Sequence, residues 1–222
     1  FKYNKLEKIA SICRQIANST NAQLVLHLDH GASYEQVIQC LRNGFTSVMI
    51  DGSRLPLKEN IRITKEVIRA AHTVGVSVEA ELGAIGGTED GMTAKANLVN
   101  VDDARCFLEE VTVEALAIGI GNAHGIYKST PNLAFDRLEQ VAALGGPALV
   151  LHGGSGIPDD MIRKAIVMGI RKINVATEVR LAFLEGFGLE VNSKDIYKAY
   201  QSAQAHARKI ISDKMSLFDT TK

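Results

Sequence analysis

One pattern recurs along this chain and restricts its fold more than any other feature. A short apolar run gives way to polar or glycine residues, and an amphipathic helix follows. Residues 23–28 read as a strand ending in Asp29-His30-Gly31. The helix behind it covers 33–43, with Ser33 as N-cap and Gly44 just past its end. Residues 46–50 end in Asp51-Gly52-Ser53, before a helix over 56–74 closed by Gly75. Residues 76–80 end in Glu81-Leu82-Gly83. A Gly-rich loop over 84–97 follows, then a helix over 101–111. Residues 115–120 end in Gly121-Asn122-Ala123-His124-Gly125, before a helix over 133–144. Residues 147–151 end in His152-Gly153-Gly154-Ser155, before a helix over 161–168 with Asp159 and Asp160 at its start. Residues 172–175 end in Ala176-Thr177-Glu178, with helices to the C-terminus. One further helix, 5–18, precedes the first strand.

Near-continuous apolar strands alternating with helices indicate a parallel sheet covered by helices. Regular βα repetition without a dinucleotide-binding fingerprint points to an α/β fold of the (β/α)8 TIM-barrel type. A doubly wound open sheet is the runner-up. Six units leave a closed barrel two short, so the reading expects the first two strands, roughly 50–60 residues, to be absent from the chain. Residues 1–222 read as a single, N-terminally incomplete barrel domain.

Composition narrows the partners. Lys plus Arg and Asp plus Glu balance at 25 each, so no global field points to nucleic acid or a membrane surface. No apolar run reaches the ~20 residues of a membrane span. Cys13, Cys40 and Cys106 are far apart and form no CxxC, which fits free thiols and a cytoplasmic location.

In a barrel the strand ends converge on one mouth, and three of the six histidines, His30, His124 and His152, stand at such ends. Three neutral imidazoles around an open position form the donor set of a catalytic divalent ion, most often zinc. His72 and His206 fall in helices and read as solvent-facing; His27 reads as a hydrogen-bonded core residue. Asp29 either orients a ligand or caps the next helix, or is an acid/base group beside the metal. Asp51 and Glu81 are candidates for a second or alternate metal position, or for partners of the ligating imidazoles. Glu89 sits near the tip of the 84–97 loop, as a solvated charge or as a carboxylate on a lid. Gly153-Gly154-Ser155 and Asn174-Val175-Ala176-Thr177 would form the phosphate site that barrels build after strands 7 and 8.

Five segments, in order, carry a family resemblance: Leu26-His27-Leu28-Asp29-His30-Gly31; Val78-Glu79-Ala80-Glu81-Leu82-Gly83 with Gly86-Gly87; Gly121-Asn122-Ala123-His124-Gly125; His152-Gly153-Gly154-Ser155-Gly156; and Asn174-Val175-Ala176-Thr177. Together they resemble the class II, metal-dependent ketose-bisphosphate aldolases over about residues 5–210. The resemblance implies Zn2+ on His30, His124 and His152, with Glu81 and Asp51 at an alternate metal position. It implies Asp29 as catalytic acid/base and Glu89 as the lid carboxylate that exchanges the carbon-bound proton. Gly125, Gly153, Gly154, Ser155, Asn174, Val175, Ala176 and Thr177 would hold dihydroxyacetone phosphate, helped by a monovalent cation, Na+ or K+. A ketose 1,6-bisphosphate would be cleaved reversibly to dihydroxyacetone phosphate and glyceraldehyde 3-phosphate through a zinc-stabilised enediolate, with no Schiff-base lysine. The resemblance also implies a homodimer or homotetramer serving carbohydrate metabolism of the glycolytic type.

Ala176 and the run Ile118–His124 look more like the tagatose 1,6-bisphosphate branch, with fructose 1,6-bisphosphate as the alternative. Two other readings compete. A zinc hydrolase would want a His-x-His pair, which the chain lacks. An inactive metal-binding barrel would have no use for Asp29 and Glu89.

Overall fold

The structure is a computed structural model, describing residues 5–89, 92–94, 97–127 and 129–219. Helix α1 is Leu6–Asn18, followed by strand β1, His27–Gly31, and helix α2, Tyr34–Arg42. Ser33 caps α2 as expected, its hydroxyl accepting from the Gln36 N–H at 3.2 Å. Strand β2, Ser47–Ile50, leads to α3, Leu57–Thr73, which starts behind Pro56. Strand β3, Ser77–Leu82, is followed by β4, Gly86–Glu89, and β5, Met92–Ala94. Helix α4, Val101–Glu110, is capped by Asn100, whose Oδ1 accepts from the N–H groups of Asp102 and Asp103. Then come β6, Ala115–Ile118, β7, Ala123–His124, α5, Phe135–Ala142, β8, Ala148–Leu151, α6, Asp159–Val167, and β9, Ile170–Ile173. Helices α7, Thr177–Glu190, and α8, Ile196–Phe218, finish the chain.

Six strands form one parallel sheet in the order β1-β2-β3-β6-β8-β9, the sequential order that repeated βα units require. The sheet curls. Asn174, just past β9, donates to both carboxylate oxygens of Asp29 in β1, at 3.1 and 3.2 Å, so the ends of the two edge strands meet. Among the described residues β1 and β9 do not pair, and the sheet is open. The expectation of an α/β fold with six parallel strands is thus met as a curled parallel sheet, open among the described residues as an incomplete barrel would be.

Two apolar layers follow from the pleat, which sends alternate side chains to opposite faces. The larger lies between sheet and helices and holds Val78, Ala80, Leu116, Ile118, Leu149 and Leu151. The smaller, inside the curl, is Met49, Ala117 and Val150. The inner face is also polar. Met49 pairs with Glu79, Glu81 pairs with Ala117, and Val150 pairs with Lys172.

Three boundaries differ from the sequence reading. Strand β1 begins at His27 and contains Asp29 and His30 rather than ending before them. Strand β9 ends at Ile173, so Lys172 stands near its C-terminal end. The described residues of the 84–97 segment include two strands where the sequence reads as loop. Strands β4 and β5 form an antiparallel hairpin, and β4 also pairs in parallel with β7, Gly87 lying opposite His124.

Candidate metal centre

Adjacent residues of a regular strand point to opposite faces, yet Asp29 and His30 both reach one site. The backbone explains this. His30 has φ of 44°, a conformation non-glycine residues seldom adopt, and the β1–β2 register slips between Leu28 and Gly31. The bulge turns His30 toward the inner face while Asp29 faces the cleft above it. Such strain persists where the surrounding structure over-determines it, and such sites are often functional.

His30, from β1, His124, from β7, and His152, just past β8, converge. Each offers one ring nitrogen, and these atoms lie within 4.8 Å of one another. The rings meet edge-on, with centroids 4.6 Å apart for His30–His152 and 5.0 Å for His30–His124. Nε2 of His30 lies 2.9 Å from Nδ1 of His152. The other nitrogen of each of these rings bonds a carboxylate. His30 Nδ1 is 3.0 Å from Asp51 Oδ2, and His152 Nε2 is 2.9 Å from Glu79 Oε1. These contacts orient both rings and aim the remaining nitrogens at the centre.

His30, Asp51 and Glu81 form a second donor group on the other side of the same ring. Glu81 is buried, and its Oε2 has no hydrogen-bond partner among the described residues. That oxygen stands 3.8 Å from Nδ1 of both His30 and His152. A buried carboxylate oxygen without a donor is costly unless a proton or cation meets it.

The electrostatics follow from these contacts. Burial would lower the His30 pKa, but the hydrogen bond to Asp51 and the charges of Glu81 and Asp29 outweigh it, to about 9. Asp51 is raised by burial but held at about 2 by hydrogen bonds from His30 and Ser53. Burial, reinforced by Asp51, pushes Glu81 up to about 8. His152 is shifted down by its burial. At neutral pH these shifts favour a protonated His30 that donates from Nε2 to Nδ1 of His152 across their 2.9 Å contact.

Beside the histidines lies a cleft of about 270 Å³ lined by Asp29, His124, Gly125, Gly153, Ser155 and Asn174 to Thr177. Gly154 is not in its lining. A Cβ there would meet Ile173 Cγ2 at 2.6 Å, so its small size serves packing. Gly153, with φ of 62°, passes so close to β7 that a Cβ would meet the Ala123 carbonyl oxygen at 2.2 Å. The Glu89 backbone ends β4, but its side chain lies outside the described residues.

Sequence reasoning missed several participants. Glu79 is buried, and its Oε2 accepts from Lys172 Nζ at 2.8 Å. The pair holds Glu79 at about 2 against the upward pull of burial, together with His152. Lys172 also lines the cleft. His27 lines it too, rather than sitting in the core, with Nδ1 bonded to Ser47 Oγ at 2.8 Å. Asn122 is buried and donates to the His152 carbonyl at 2.9 Å. The Tyr127 hydroxyl ties the Ala123 N–H to the Gly153 carbonyl, at 2.8 and 3.1 Å. The alternation Val78-Glu79-Ala80-Glu81 was the available signal for Glu79, since residues two apart share a face. His206 is not solvent-facing as expected: its Nδ1 bonds the Ser202 carbonyl and packs beneath Gly186 of α7.

A curled parallel sheet with three convergent imidazoles and a cleft at its strand ends defines an α/β domain with a candidate metal site. The family model described as class-II fructose-bisphosphate aldolase matches residues 1–222, and the chain belongs to that family. It is 44% identical over 201 residues to a fructose-bisphosphate aldolase of Streptococcus pyogenes serotype M3, covering 90% of this chain and 64% of that protein. The chain thus spans 64% of the length of this curated relative. Among solved structures it is similar to the YdjI aldolase from Escherichia coli K12, with a TM-score of 0.87 and 31% identity, covering 99% of this chain and 78% of that one. It is also similar to a fructose-1,6-bisphosphate aldolase, described as putative, from Coccidioides immitis, with a TM-score of 0.85 and 27% identity, covering 97% and 77%.

Proposed function

We propose that this domain is the catalytic part of a class II aldolase that reversibly cleaves a ketose 1,6-bisphosphate to dihydroxyacetone phosphate and glyceraldehyde 3-phosphate. One observation carries the reading. The bulge at His30 brings a candidate metal ligand to the point where His124 and His152 converge, while its neighbour Asp29, a candidate proton acceptor, lines the adjoining cleft with His124. The donor chemistry fits a divalent cation: three imidazoles, two of them braced by carboxylates, beside the unpartnered Oε2 of Glu81.

His30, His124 and His152 would hold the zinc, which would supply Lewis acidity to the cleavage when bound. Asp51 and Glu81 offer the alternate position with His30. Asp29 accepts the C4 hydroxyl proton as the C3–C4 bond breaks, and Asn174 holds both its oxygens in place. Glu89, on the β4–β5 hairpin, returns a proton to C3. Two carboxylates serve because two protons move at different atoms. Gly125, Gly153, Ser155 and Asn174 to Thr177 grip the phosphate, with Na+ or K+ beside it, and Gly154 supports that wall from behind. Lys172 is no Schiff-base candidate: an amine ion-paired with a buried carboxylate lacks the surroundings that activate a nucleophilic lysine.

Tagatose 1,6-bisphosphate is the substrate we favour, on Ala176 in the cleft wall. The name of the relative from Streptococcus pyogenes supports fructose 1,6-bisphosphate as the second reading. We place the enzyme in the cytoplasm as a homodimer or homotetramer. Its three cysteines are free, and no helix among the described residues is long and apolar enough to cross a membrane. The test is release of dihydroxyacetone phosphate from each sugar by the zinc-loaded protein. A higher kcat/KM on tagatose 1,6-bisphosphate is expected. A higher value on the fructose epimer would overturn the preference, and cleavage of neither would overturn the reading.

A further inference from the structure

Glu79 and Lys172 stand 93 positions apart, on β3 and β9, and the curl of the sheet brings them together inside it. Glu79 is 2% exposed, and among the described residues each of its oxygens has one hydrogen-bond partner, His152 Nε2 at 2.9 Å and Lys172 Nζ at 2.8 Å, with His27 Nε2 farther off at 3.7 Å from the second oxygen. A carboxylate on the inner face of a parallel sheet needs such partners, and an apolar residue would serve packing better there. The pair is therefore costly as mere structure. Its geometry has a directional consequence. With Nε2–H committed to Glu79, only Nδ1 of His152 carries a lone pair, and Nδ1 is the nitrogen that faces His30.

We propose that Glu79 and Lys172 are positioning residues for the metal centre: Glu79 fixes the tautomer and ring orientation of His152, and Lys172 fixes Glu79. This rests on the metal centre proposed above. The chain acts through contact alone. Lys172 Nζ anchors one carboxylate oxygen, the other orients the imidazole, and His152 presents Nδ1. Metal affinity then depends on a lysine that offers no lone pair to the ion. Because Lys172 also lines the cleft, the last strand of the sheet joins the anion pocket to the metal ligand set.

The test measures Zn2+ and Co2+ affinity of the full chain by competition with a chromophoric chelator. Wild type, Glu79→Gln, Lys172→Met, Lys172→Arg and His152→Ala are compared. Melting of each metal-free protein reports folding separately. Outer hydrogen-bond partners of ligating histidines typically contribute about 10–100-fold in metal affinity. Glu79→Gln is expected to weaken binding by about that factor. Lys172→Met should weaken it by at least several-fold, and Lys172→Arg should restore most of the loss. Histidine nitrogen NMR of the wild-type protein should place the His152 ring proton on Nε2. Unchanged affinity in both Glu79→Gln and Lys172→Met, whatever their melting temperatures, would overturn the proposal. So would a proton on Nδ1, which reports even if Glu79→Gln fails to fold. A failure of the metal-centre reading looks different: wild type and His152→Ala would then bind the ions equally weakly, and the proposal would fall with it.

Discussion

His30 and His152, 122 positions apart, face each other through ring nitrogens 2.9 Å apart, with a carboxylate behind each ring. Two imidazoles braced this way turn one ring nitrogen each toward the same point, where a proton and a cation compete. Much of the expected behaviour follows from that competition.

Metal binding should release protons. With His30 near 9, the metal-free site carries its extra proton at neutral pH, and an incoming ion must displace it. Titration calorimetry at pH 7 in buffers of different ionisation heat should report about one proton released from His30. Apparent affinity should rise with pH up to about 9. Affinity falling over pH 6.5–9 would contradict the assignment of the shared proton.

The metal-free protein should lose stability as pH rises. The His30 pKa is raised from 6.5 to about 9 in the fold, so its contribution is fully present below 6.5 and lost through 9. Glu81, raised from 4.5 to about 8, acts with the same sign: its contribution is present below 4.5 and lost through 8. The melting temperature should fall between pH 6.5 and 9, and saturating zinc should flatten the slope. A rise over that interval would show that other groups dominate.

Asp29→Asn should separate chemistry from metal binding. Loss of a general acid/base typically costs about 10²–10⁴ in rate. Asp29→Asn should lower kcat by that order while zinc affinity stays near wild type. Asn174→Ala, which frees both Asp29 oxygens, should lower kcat by roughly tenfold, about 1.4 kcal/mol. Steady-state kinetics with parallel metal titrations would check both, and full activity of Asp29→Asn would remove it from the mechanism.

Gly153→Ala should destabilise the fold itself. The new methyl would meet the Ala123 carbonyl at a residue whose φ is 62°. The cost should be at least about 1–3 kcal/mol, read from urea unfolding of the metal-free chain. A neutral result would mean that the β7–β8 contact yields easily.

Much of the site was legible because strand ends announce themselves. His30, His124 and His152 each follow an apolar run, and the structure gathers all three. Ser33, Gly44 and Gly75 marked helix ends correctly, since capping and positive φ are local properties. What escaped was non-local or conformational. Nothing in Leu28-Asp29-His30-Gly31 announces a bulge, so the reading closed the strand before the two residues that matter most. Glu79 and Lys172 gained meaning only once the sheet had curled them together across 93 positions. The pairing of β4 with β5 was missed because the glycines of that segment read as loop. The six parallel strands were legible, because each is an apolar run followed by a helix.

The central claim is that the three histidines hold the ion on which carbon–carbon cleavage depends. The direct measurement is dihydroxyacetone phosphate release from a ketose 1,6-bisphosphate before chelation, after complete metal removal, and after zinc is restored. The account predicts activity that disappears with the metal and returns with zinc, and neither activity nor tight zinc binding in His152→Ala. Cleavage that persists with no metal bound would contradict it.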